Sequence, residues 1–157
     1  MTEPQSFDRP NVYPWPPIIY AAALLGAYVM ERLLPFWPFG GWEIRPLGAI
    51  VAATGFLIAV AGLSHFQLVG TPFDPTGRAK VLATGGIYRF TRNPMYLGGV
   101  LFFTGLAFAL RSGWLLLAAP AIEYGLQRLA IEPEDAYLTR RFGDEYRNYC
   151  AKVRRWV

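Results

Sequence analysis

The chain has 157 residues, 54% of them hydrophobic and 17% charged, with a net charge of +4 and a mean hydropathy of +0.25. That length suits one domain, and the charged fraction falls short of the rough quarter usual in soluble domains. One cysteine, Cys150, excludes an intramolecular disulfide, and a lone histidine, His65, cannot build a usual metal site, so no metal is expected.

Residues 10–30, 46–73 and 93–110 contain no Asp, Glu, Lys or Arg. The first two exceed the roughly 20 residues a bilayer helix needs, and the third sits near the lower edge of that range. They are apolar all round, whereas a surface helix of a soluble protein shows water a polar face. The fold expected is therefore all-α and polytopic, with four transmembrane helices. No cleavable signal peptide is evident, because Glu3, Asp8 and Arg9 stand where a basic cluster would be.

The first segment follows Trp15-Pro16-Pro17 and runs from Ile18 to about Leu34, and Pro35, Pro38, Gly40 and Gly41 make a loop. The second spans about Leu47 to Val69, with Gly48, Ala52, Gly55, Ala59 and Gly62 in one stripe where a neighbouring backbone can approach closely. His65, near its end, reads as an interfacial polar residue. The third segment follows Pro94 and ends near Leu110. Arg111-Ser112-Gly113 then forces a tight antiparallel hairpin with the fourth, Trp114 to about Ile131. Glu134 to Val153 reads as an amphipathic helix, with Leu138, Phe142, Tyr146, Tyr149 and Val153 on one face and a weak point at Gly143.

Four spans put twelve of the fifteen Lys and Arg on the side of the N-terminus, the 70–93 loop and the C-terminal tail, leaving only Arg32, Arg45 and Arg111 opposite. The positive-inside rule makes that side cytoplasmic, and the same rule accounts for the basic balance without nucleic acid.

Two polar clusters then share one side. Thr84-Gly85-Gly86-Ile87-Tyr88-Arg89 and Arg92-Asn93-Pro94-Met95-Tyr96 lead into the third segment. Glu134-Asp135, Phe142-Gly143-Asp144-Glu145-Tyr146, Tyr149 and Val153-Arg154-Arg155-Trp156 follow the fourth. Each piece has an ordinary structural reading: Gly85-Gly86 as a turn, Asn93-Pro94 as a helix start, Glu134 and Asp135 as acids at a helix N-terminus, Arg89 and Arg92 as inner-leaflet anchors. As an ordered set, over roughly residues 65–157, they resemble the isoprenylcysteine carboxyl methyltransferase and phospholipid methyltransferase superfamily. Asn93 matches the phospholipid branch and many small bacterial-type members, where the carboxyl-methylating branch has His. Asp135 stands where a second Glu is commoner.

The resemblance implies a single integral membrane methyltransferase domain over residues 1–157, with two spans in 1–69 and a cofactor-binding loop, hairpin and C-terminal helix in 70–157. A bacterial inner membrane is the implied location. It also implies an S-adenosylmethionine pocket framed by Thr84, Gly85, Tyr88, Asn93, Pro94, Tyr96, Leu97, Glu134, Asp135 and Tyr146. The donor's chemistry agrees: its ribose hydroxyls or ammonium want carboxylates, its carboxylate wants N–H groups at a helix start, and its sulfonium is attracted to aromatic faces. The expected acceptor is lipidic or lipid-anchored, either a prenylcysteine carboxylate or a phospholipid amine. Arg92 or Arg128 can hold a carboxylate acceptor, and Glu123 or Glu134 can take a proton from an amine. Glu123, about 12 Å inside its helix at about 1.5 Å per residue, is a candidate because intramembrane acids are commonly functional, and pairing with Gln127 is the alternative. A membrane reductase using NADPH and a non-catalytic membrane scaffold are the competing functions.

Overall fold

A computed structural model describes residues 15–70 and 81–156. Within them the chain forms α1 (Trp15–Leu33), α2 (Ile44–Leu68), a 3₁₀ turn (Gly86–Arg89), α3 (Pro94–Leu110) and α4 (Gly113–Leu126). A π-helical turn (Gln127–Ile131), α5 (Glu132–Phe142) and α6 (Asp144–Lys152) complete it, and the described residues contain no strand. The N-terminal residues and positions 71–80, with Arg9, Arg78 and Lys80 of the charge count, lie outside the described residues.

The small-residue stripe of α2 does what its spacing predicts, and its partner is α3. A Cβ built on Gly55 would lie 2.4 Å from the Phe102 nitrogen, and one on Gly48 would lie 2.5 Å from that of Ala109. α3 answers with its own glycines, since a Cβ on Gly105 would lie 2.2 Å from the Ala52 nitrogen and one on Gly98 would lie 2.5 Å from the Gly55 oxygen. Gly62 reaches Pro94 and Met95 at the other end, so the two helices are antiparallel. Backbones this close are held by dispersion and need no apolar solvent contrast.

The third and fourth segments form the expected hairpin. Arg111 takes a left-handed conformation at φ 59°, and Ser112 caps α4 by accepting from the Leu115 nitrogen at 3.3 Å while donating to Glu31 Oε2 at 2.7 Å. α1 closes the bundle against α4 and α3, with Tyr20 stacked on Phe103 at 4.9 Å. Ile122, Leu126, Ala130 and Ile131 fill the centre.

α2 alone, among the described residues, is long and apolar enough to cross a membrane by length and composition, and α3 is a shorter apolar helix of 17 residues. The outer face of α2 is not a soluble core: Ile50 is 62% exposed and Leu57 65%.

The C-terminal region departs from expectation. Helical backbone runs from Gly113 through Phe142 without a loop, because the π turn joins α4 directly to α5. The amphipathic tail, by contrast, breaks where its weak point was expected, into two helices at Gly143, whose φ of 55° suits glycine. Beyond α6 the chain returns to the bundle, and Trp156 packs against the core cluster.

Candidate active site

The 84–93 segment is pinned at one end of the bundle. Gly86 turns at φ 54°, and a Cβ there would lie 2.8 Å from His65 Nδ1, so the glycine pair admits the imidazole. Tyr88 is buried, and its carbonyl accepts from the Tyr149 hydroxyl at 2.7 Å. The returning tail holds the next residues. The Arg92 nitrogen donates to the Arg154 carbonyl at 3.0 Å, and Thr91 Oγ1 donates to that of Arg155 at 2.8 Å. Asn93, also buried, donates from its backbone to Thr91 Oγ1 at 3.3 Å.

The two neighbouring acids have different surroundings. Glu134 Oε2 accepts from the Tyr96 hydroxyl at 3.0 Å. Burial pushes the Glu134 carboxyl up to about 7, with adjacent Asp135 adding to the rise and the Tyr96 hydrogen bond opposing it. Asp135 is fully engaged: one oxygen accepts from the Tyr146 hydroxyl, the other is ion-paired with Arg155, and Arg92 Nη1 lies 4.0 Å away. Arg92 Nη1 also donates to Cys150 Sγ at 2.8 Å. Burial raises the Tyr149 phenol to about 12 and pushes those of Tyr88 and Tyr146 higher still.

Of the expected site residues, Tyr88, Arg92, Asn93, Pro94, Tyr96, Glu134, Asp135 and Tyr146 come together here. Gly85 sits against His65, Thr84 is exposed at the margin, and Leu97 is half-buried one turn into α3 with its nitrogen bonded to the Asn93 carbonyl. Glu123 and Arg128 stand apart. Both are exposed; Arg128 pairs with Glu132 at 3.2 Å and lies over the Tyr124 ring, while Gln127 bonds Glu132 rather than Glu123.

Tyr20, His65 and Arg155 also reach the site, though none was among the expected site residues. Tyr20 and His65 sit inside apolar runs where only their polar atoms hint at a role, whereas Arg155 belongs to the basic end of the motif set. Six buried polar atoms at this end have no hydrogen-bond partner among the described residues: Tyr20 Oη, His65 Nε2, Tyr88 Oη, Arg92 Nε, Asn93 Nδ2 and Arg155 Nε. Leaving each so costs on the order of 1–3 kcal/mol, which a bound polar ligand would recover.

The sequence pattern of the phospholipid methyltransferase family matches residues 44–145, and the chain belongs to that family. That span takes in α2, the 3₁₀ turn, the α3–α4 hairpin and the acidic pair. The chain is also 28% identical over 167 residues to a methanethiol S-methyltransferase of Pseudomonas deceptionensis, covering 88% of this chain and 61% of that protein. It is 30% identical over 136 residues to methanethiol S-methyltransferase 1 of Bradyrhizobium diazoefficiens, covering 71% of this chain and 47% of that protein. An uncharacterised protein of Haemophilus influenzae is 50% identical over 32 residues. The chain spans about half to three-fifths of the length of these relatives.

Proposed function

We propose that this protein is an S-adenosylmethionine-dependent methyltransferase of the inner membrane, with its site at the cytoplasmic end of a four-span bundle. The observation that carries the reading is the part-buried Tyr96–Glu134 hydrogen bond, at the same end of the bundle as the unsatisfied Asn93 Nδ2 and Tyr88 Oη. Their chemistry fits the donor. Glu134 would take its ribose hydroxyls or ammonium, Asn93 Nδ2 and the start of α3 would take its carboxylate, and the Tyr88 face would meet its positive charge. Asp135, tied to Arg155 and Tyr146, would hold the tail over the site rather than grip the donor.

When bound, S-adenosylmethionine supplies an electrophilic methyl group. The chain's work is alignment and exclusion of water. Tyr96 fixes the Glu134 carboxylate, the 91–93 backbone is locked by the tail, and Trp156 closes the core beneath. Glu123 and Arg128 are exposed and stand away from the site, and Arg92 is the remaining candidate for holding an anionic acceptor.

A lipid-like amine or carboxylate is one acceptor reading, consistent with the family's description and with a site at a lipid surface. A small thiol is favoured by the two methanethiol S-methyltransferase relatives, whose likeness covers most of this chain. Radiolabelled methyl transfer from S-adenosylmethionine to an alkanethiol, or to phospholipid vesicles, distinguishes them. Incorporation into neither, by protein that binds the donor, would overturn both. Membrane placement rests on α2 and its exposed apolar face. A cysteine at position 40 and one at 140, each in a Cys150→Ala background, should react with an impermeant maleimide from opposite sides of the membrane.

A further inference from the structure

His65 reaches the site from α2, where nothing in the motif pattern placed it. Its Nδ1 edge lies against the Gly86 backbone, and its ring is 5.6 Å from that of Tyr88. Its Nε2 is buried with no hydrogen-bond partner among the described residues, and the Tyr88 hydroxyl is in the same condition. Gly86 is needed for this placement, since it turns at φ 54° and a Cβ there would lie 2.8 Å from Nδ1, and a Cβ on Gly85 would be tight at 3.2 Å from Cε1. The Tyr88 carbonyl accepts from the Tyr149 hydroxyl at 2.7 Å, which holds the imidazole's neighbour at the same end of the bundle as the proposed donor site.

We propose that His65 Nε2 is the proton acceptor for a neutral thiol that is methylated here, a role resting on the methyl-transfer reading above. The acceptor sulfur forms its new bond to carbon with its own lone pair. The electron pair of the broken carbon–sulfur bond stays on the donor's sulfur, which becomes a neutral thioether, and the thiol proton passes to Nε2. A positioned base contributes about 10²–10⁴-fold in such a step, and the thiolate is the competent nucleophile. Tyr88, whose ring lies 5.6 Å from the imidazole and whose Oη is unsatisfied, is the group that would orient the imidazole or the sulfur.

His65 is the only histidine in the chain, so ¹⁵N-histidine labelling gives one imidazole to observe. In the full-length protein saturated with S-adenosylhomocysteine, ethanethiol should shift the His65 Nε2 resonance, and the proton-free diethyl sulfide should not. Equal response to both, or none to either, would overturn the proposal. Kinetics give a second reading. His65→Gln should lower turnover of ethanethiol by about 10²-fold or more while an arylthiol already ionised at the assay pH loses less than threefold. An equal loss on both acceptors would assign His65 a structural role and reject the base. Absence of donor binding by the parent protein would instead fail the underlying methyltransferase reading.

Discussion

The hydroxyl of Tyr96 donates to Glu134 Oε2 across 3.0 Å, tying the first turn of α3 to the first turn of α5. The bond joins the two halves of the site, since Asn93 opens α3 and Asp135 follows Glu134. Tyr96→Phe removes a partner whose bond favours the charged carboxylate, so the Glu134 carboxyl should titrate still higher. Hydrogen bonds to charged groups are worth about 1.5–3 kcal/mol, and S-adenosylmethionine affinity at pH 7 should fall about tenfold or more. Calorimetry at pH 7 and pH 9 checks this, because the loss should shrink at pH 9, where Glu134 is ionised in both proteins.

The pH dependence has a definite sign. Glu134 in the folded protein titrates at about 7, above the ordinary glutamate range, so the folded state holds this proton more tightly than the unfolded chain. Its contribution therefore favours folding at low pH and is lost as pH rises towards 7. Donor binding runs the other way: the positively charged ligand prefers the carboxylate, so affinity should rise with pH through about 7 and binding below that should release a proton. The comparison is wild type against Glu134→Gln. The melting-temperature difference should narrow from pH 8 to pH 5.5, and calorimetry in buffers of differing ionisation enthalpy should report proton release from wild type only.

Close packing of α2 on α3 sets the frame on which both polar clusters sit. Gly55→Leu and Gly105→Leu each drive a side chain into the facing backbone, where even a Cβ would lie 2.4 Å and 2.2 Å from a main-chain nitrogen. Each should destabilise the detergent-solubilised protein by about 1–3 kcal/mol or more, as overpacking does. Gly26→Ala is the control, since a Cβ there meets nothing within 4 Å. Thermal melting should rank the control with wild type and the other two well below it.

Arg155 and Asp135 close the tail onto α5, beside the Tyr146 hydroxyl on the same carboxylate. Arg155→Ala leaves a half-buried acid with only Tyr146 and the more distant Arg92, and Asp135→Asn leaves Arg155 without its countercharge. The double variant should be less destabilised than the sum of the singles, with a coupling of about 0.5–3 kcal/mol measured by chemical denaturation. Additive effects would show that the pair does not hold the tail.

Much of this was legible in the sequence because the signals are local. The α2 stripe is a spacing of small residues, the Arg111–Gly113 turn is too short for anything but a hairpin, and Gly143 marks the break between α5 and α6. The continuous helix through the π turn was not legible. Pro133 and the polarity change at Glu132 look like a helix boundary, yet the backbone stays helical through them, with the π turn at Gln127–Ile131 lying just before the proline. Nor could the sequence divide the acids, because Glu134 and Asp135 are adjacent and differ only in what folding brings to them: Tyr96 to one, Arg155 and Tyr146 to the other. Glu123 drew attention as an acid in an apolar helix, but the facing of a single residue on α4 depends on how α1 and α3 pack around it.

In the proposed function, the stretches around Asn93 and Glu134 bind one sulfonium cofactor. Equilibrium binding of S-adenosylmethionine and of NADPH to the detergent-purified protein tests it most directly. Saturable binding of S-adenosylmethionine is expected, lost in Glu134→Gln and weakened in Asn93→Ala, with no binding of NADPH. Folded wild-type protein that binds NADPH and not S-adenosylmethionine, or that binds the methyl donor equally well with Glu134 replaced, would contradict it.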